Sequence, residues 1–142
     1  NQAEGQSPSA AQTYAFRGAE PDFGTAQNGA DLDSATTVTV GEVIYVSSTS
    51  NFDLSSGSSP FQIFIRTDGT AATCGDTNAQ VATLVVGESS VGPPPVLTNT
   101  WSNDSITVAK KPITISAVAC GQLNGTTSYL QQASAVRTIK FN

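Results

Sequence analysis

Hydrophobic and polar residues alternate along this chain in short runs of strand length, and no run sustains a helical period. The clearest is 61–67 (FQIFIRT), where a two-residue period puts Phe61, Ile63 and Ile65 on one face and Gln62, Phe64 and Arg66 on the other. β-branched and aromatic residues fill further runs at 35–40 (ATTVTV), 43–47 (VIYVS), 80–86 (QVATLVV), 104–108 (DSITV), 112–119 (PITISAVA) and 135–141 (AVRTIKF), and each predicts a strand. Turn chemistry separates them. Asp68-Gly69 follows the 61–67 run, Asn28-Gly29 and Asn124-Gly125 mark tight turns, and Pro93-Pro94-Pro95 predicts an extended linker or a sheet-to-sheet crossing. Only 127–134 (TSYLQQAS) has the makings of a helical turn, and no helix is predicted there. Seven or eight short strands at this spacing predict an all-β fold, a single immunoglobulin-like or jelly-roll β-sandwich, with a closed barrel as second choice.

The pattern weakens at the N-terminus. Residues 1–11 (NQAEGQSPSAA) are polar with no large apolar side chain, whereas 12–17 (QTYAFR) place Tyr14 and Phe16 on one strand face. The chain therefore divides into an N-terminal arm, 1–17, and a β-sandwich domain, 18–142. An ordinary first strand in the protein's own sheet is the alternative reading of the arm.

Composition narrows the function. The 142 residues include 17 serines and 18 threonines but no histidine and no methionine, and only 12% are charged. Histidine is the usual side chain that titrates near a working pH, so its absence points away from an enzyme. Formal net charge is −5, and among the six cations only Lys110 and Lys111 are contiguous, which argues against nucleic acid and against an anionic membrane surface as partners. No apolar run is long enough for a membrane span. The start at Asn1 rather than Met fits the mature form of a longer, exported precursor. Cys74 and Cys120, an even count in a Ser/Thr-rich chain, predict a disulfide made in an oxidising compartment, the alternative being two buried free thiols.

Candidate chemistry is sparse. Paired carboxylates can hydrolyse without histidine, but the eleven here are scattered, and Asp31 and Asp33 are the only close pair. With Asp22 they form a weak candidate for Ca²⁺, lacking the spaced acids and central glycine of an EF-hand loop, so a solvated turn is the preferred reading. No GxSxG elbow, SxxK, CxxC or phosphate-binding glycine loop is present, and no cofactor or metal is expected. Trp101 and Tyr129 are candidate platforms for a sugar ring, with a partly buried core position as the alternative for Trp101. Asn103-Asp104-Ser105 and Asn124-Gly125-Thr126 match the N-glycosylation acceptor pattern.

The two ends of the chain add a comparison. Residues 135–142 (AVRTIKFN), with an aromatic at the penultimate position, resemble the closing strand of secreted pilus subunits assembled by strand exchange. Asp22-Phe23-Gly24-Thr25, followed by a Thr/Val-rich run, resembles the early part of the spore-coat-U type of chaperone–usher pilin. The resemblance implies an incomplete immunoglobulin-like sandwich completed by a neighbour's N-terminal extension, with residues 9–17 as the donor arm and Tyr14 and Phe16 as its anchors. The expected function is a structural subunit of an extracellular filament, a pilus-like fibre, or of a surface layer, whose partners are copies of itself. The alternatives are a secreted adhesin or carbohydrate-binding module that contacts a host surface through Trp101, Tyr129 or the Asp31 region, and a viral capsid decoration protein.

Overall fold

Alternation of side chains across two faces has a direct outcome in the fold. The computed structural model describes residues 19–27, 29–33, 35–48, 61–89, 96–121 and 133–142, and among these every regular element is a strand. In chain order they are β1 (Asp22–Gly24), β2 (Val43–Ser47), β3 (Phe61–Arg66), β4 (Gln80–Ser89), β5 (Val96–Ser102), β6 (Ser105–Thr107), β7 (Ile113–Gly121) and β8 (Arg137–Phe141). They form a three-stranded sheet, β1-β2-β6, and a five-stranded sheet, β5-β4-β3-β7-β8, antiparallel throughout. Phe23, Ile44, Val46 and Ile106 of the small sheet share one core with Ile63, Ile65, Ala82, Ile115, Ala117, Ala119, Ile139 and Phe141 of the large one, so the chain is a β-sandwich. Leu32, Val38 and Val108, from the connections, complete that core.

The large sheet is also covered on its outer face. Phe64, Val118 and Cys120 point away from the inter-sheet core and form a second cluster with Ala72, against which Cys74, Ala79, Val81 and Ala133 pack. A sheet covered on both faces calls for a near-continuous apolar strand, and β7 (ITISAVACG) is such a strand. The same layer explains Phe64, the apolar residue on what looks like the polar face of β3.

Three departures from the sequence pattern have physical causes. The predicted strand at 35–40 does not form, because local side-chain bonds offer its backbone another arrangement. The Asp33 carboxylate accepts from Ala35 N and Thr36 Oγ1, and Thr39 N donates to Glu42 Oε2 at 2.9 Å. The segment instead inserts Val38 into the core and leaves Val40 59% exposed. β1 and β5 were not predicted. β1 has only three residues, and β5 (VLTNTWS) reads as a polar Thr/Asn stretch rather than an apolar alternation. The β3–β4 ladder ends at Gln62↔Thr83, whereas β4 and β5 stay paired from Thr83↔Ser102 to Ser89↔Val96, so these two strands run on as a ribbon past β3. Pro60, which lacks a ladder donor, stands just before β3. The arm of residues 1–17, Pro93-Pro94-Pro95, Asn124-Gly125 and most of 127–134 lie outside the described residues.

Candidate functional site

An antiparallel sheet carries its unspent hydrogen-bonding capacity on its edges, and the edges of this sandwich are finished differently. At β1, Phe23 faces Val46, whose N–H is committed to Asp104 O on the β6 side at 2.7 Å, so the Phe23 N–H and C=O point away from the sheet. The returning loop meets both: Phe23 N donates to Asp31 Oδ1 at 3.1 Å, and Leu32 N donates to Phe23 O at 2.7 Å. The loop reverses through a turn in which Gly29 N donates to Ala26 O at 2.9 Å, and a Cβ at Gly29 would lie 2.9 Å from that same oxygen. At β6, the outward carbonyl of Ser105 accepts from Gln80 Nε2 at 3.0 Å, and the same amide reaches Asn103 O at 2.6 Å.

The edge at β8 has no such cover among the described residues. Ala119 uses its N–H on Ser134 Oγ and its C=O on Ser134 N, both at 2.9 Å, which fixes the odd-numbered residues of β7 as those facing β8. Alternation then makes Ile113↔Phe141, Ile115↔Ile139 and Ala117↔Arg137 the hydrogen-bonded pairs. The N–H and C=O of Thr138 and Lys140 point outward from the sheet. Val136, at the root of this strand, is 44% exposed.

Arg137, the first residue of β8, ties the two sheets together. Its guanidinium donates to Asp31 Oδ1 at 2.7 Å, Leu32 O at 2.8 Å, Pro21 O at 3.2 Å and Asp22 Oδ1 at 3.4 Å, and lies 5.2 Å from the centroid of the Phe23 ring. The Asp22 and Asp31 carboxylates of the weak cation candidate are thus both bridged by one guanidinium of the protein. Asp33 is engaged elsewhere, with Ala35 and Thr36, and no group of three metal-ligating side chains occurs among the described residues.

This arrangement sets a pH dependence. The hydrogen bond from Arg137 holds the Asp31 carboxyl below the ordinary carboxylate range, while burial, and secondarily the Asp31 charge, push Asp22 up. A depressed pKa contributes stability that is present above the unfolded value of about 3.9 and is lost as pH falls through the folded value. Asp22, with its raised pKa, acts in the opposite direction. The urea midpoint is therefore expected to fall on acidification from pH 7 to pH 3, less steeply in Asp31→Asn, whereas Asp22→Asn is neutral or slightly stabilising at pH 7. Equal acid slopes in the wild type and Asp31→Asn would show that this bridge does not set the dependence.

On the outer face, the 67–79 loop is clipped down at several points. Cys74 and Cys120 form a disulfide with Cα atoms 5.9 Å apart, and the described residues contain no free cysteine. Arg66 bridges Asp68 and, at 2.7 Å, Asp76, while Ala72 N donates to the buried Ser116 Oγ at 2.9 Å. The Asp68 carboxyl is held far below its ordinary value by Arg66 and by the Thr70 hydroxyl and N–H. These contacts pin the loop to the outer face of the large sheet.

The other flagged residues are dispersed. Trp101 stands in β5 opposite Leu84, and Asn103 follows it at the corner into β6 with a left-handed φ of 55°. Tyr14, Phe16, Tyr129 and Asn124 lie outside the described residues. The sequence pattern did not single out Arg137 or Gln80. The signal for Arg137 was an arginine in register with the inward Ile139 and Phe141.

No family model matches the chain. No curated protein and no solved structure matches it either. The fold and its edges define the class, an all-β sandwich with a disulfide on its outer face and a β8 edge left uncovered among the described residues. A disulfide fits an oxidising compartment, and among the described residues no helix is long and apolar enough to cross a membrane.

Proposed function

We propose that this chain is a structural subunit of an extracellular filament or surface layer, assembled with copies of itself by strand addition along β8. The observation that supports this reading most is the contrast between edges. The Asp31 side chain and a returning loop occupy both outward groups of Phe23 in β1, and Gln80 takes the outward carbonyl of Ser105 in β6, whereas Thr138 and Lys140 present both their N–H and C=O groups in register for a further strand. Strand addition draws its affinity from main-chain hydrogen bonds and its register from alternate side chains. The 12–17 segment, with Tyr14 and Phe16 two residues apart, supplies such a strand from a neighbour. Contacts of this head-to-tail kind do not close on themselves and so generate fibres.

Electron microscopy and size-exclusion chromatography test the reading. The full chain is expected to form filaments, and a version lacking residues 1–17 to remain dispersed. Thr138→Pro and Lys140→Pro each delete an N–H that faces away from β7, so the β7–β8 ladder survives while the added strand loses a partner. With a net contribution of about 1 kcal/mol per hydrogen bond, either variant is expected to raise the concentration needed for assembly roughly fivefold. Filaments that form equally well in both proline variants would rule out β8 as the acceptor. A full chain and a truncated chain that are the same stable monomer would remove the filament reading altogether.

A further inference from the structure

We infer that Asn103 is an acceptor for an N-linked glycan, displayed at the corner where the chain passes from the five-stranded to the three-stranded sheet. This inference does not depend on the filament reading. The corner joins β5 to β6 through Asn103 and Asp104 alone, and its geometry is set by backbone contacts. Gln80 Nε2 binds the carbonyls of Asn103 and Ser105, and Val46 N donates to Asp104 O. The Asn103 side-chain amide takes no part in this bonding among the described residues and is exposed, as is Ser105. Asp104, between them, is buried. The two residues that a sequon-reading transferase must contact therefore share the solvent side, and the variable middle residue faces inward.

The left-handed backbone explains part of this pattern without any glycan. Asparagine is one of the few residues with a side chain that tolerates positive φ. Turn geometry does not, however, call for an exposed hydroxyl two residues later, and among the described residues no hydrogen bond of the Ser105 side chain supports the corner. The chemistry needs a lipid-phosphate-linked oligosaccharide as donor. Asn103 Nδ2 forms a bond to the anomeric carbon of the first sugar and loses a proton, the bond from that carbon to the phosphate oxygen breaks, and the lipid phosphate leaves. A glycan at this position would overhang the outer edge of β6, on the opposite sheet from the open β8 edge.

The full chain, exported through a eukaryotic secretory pathway that reads sequons, is the material for the test. Enzymatic release of N-glycans in ¹⁸O water followed by peptide mass spectrometry is expected to find ¹⁸O-labelled aspartate at position 103. Ser105→Ala is expected to abolish that label while the thermal midpoint stays within a few degrees of wild type, and Asn103→Asp controls for the left-handed turn. Secreted, disulfide-bonded protein with Asn103 unoccupied would overturn the inference, as would a label at 103 that persists in Ser105→Ala.

Discussion

A chain carrying Cys74→Ser and Cys120→Ala unfolds at a markedly lower urea concentration than the wild type, with stability reduced by about 4 kcal/mol on the chain-entropy estimate for a loop of this size. The bridge spans 46 positions and encloses three of the five strands of the large sheet, β4, β5 and most of β7, together with β6 of the small one. It also holds the 67–79 loop over Phe64 and Val118, which water would otherwise reach. Alanine at 120 avoids placing a hydroxyl in a fully buried position, so the loss reports the cross-link rather than an unsatisfied polar group. Equilibrium urea unfolding under non-reducing conditions checks the prediction. The variant's midpoint should match that of the reduced wild type, and a midpoint unchanged from the oxidised wild type would mean that the bridge contributes nothing to stability.

Phe141→Ala is expected to cost about 3 to 5 kcal/mol, comparable to the disulfide although it lies one residue from the end of the chain. Phe141 is 2% exposed, pairs with Ile113 across the β7–β8 ladder and belongs to the core shared by the two sheets. Its neighbour Lys140 is exposed on the outer side of the same strand, so Lys140→Ala is expected to change stability by no more than about 0.5 kcal/mol. Thermal and urea unfolding of the two variants side by side separate a core role for β8 from a dangling terminal strand, in which both changes would be equally mild.

The sandwich was legible because its two-sided demands were written as period-two runs. The bounds of β2 were read without error, and β3, β6, β7 and β8 to within two residues at each end. Runs whose fate depends on particular side-chain bonds or on a strand partner were not legible. ATTVTV has the same pattern as a strand, but Asp33 and Glu42 capture its neighbouring backbone groups before a sheet partner does. Conversely, β5 (VLTNTWS) is held as a strand by its ladder with β4 and by little in its own composition.

The candidate site was legible in outline. Two cysteines predicted the bridge, and the AVRTIKF segment predicted a closing strand. What the sequence did not disclose was which edges are finished. That depends on single side chains, Asp31, 8 positions from Phe23, and Gln80, 25 positions from Ser105, that reach the backbone of β1 and β6. Nor did spacing place Arg137 between Asp22 and Asp31, because the ion pairs join residues 115 and 106 positions apart.

The Cys74–Cys120 bridge also fixes how the molecule responds to tension. A molecule pulled from positions on either side of the bridge can shed β1, β2, β3 and β8 and lengthen accordingly, but the chain between the cysteines is shunted by a covalent link. Those 46 positions, on the order of 150 Å of extended polypeptide, stay out of the load path however far the rest is drawn. The reach of this chain under force is therefore capped by the bridge, because residues 75–119 cannot be drawn out until the sulfur–sulfur bond is broken.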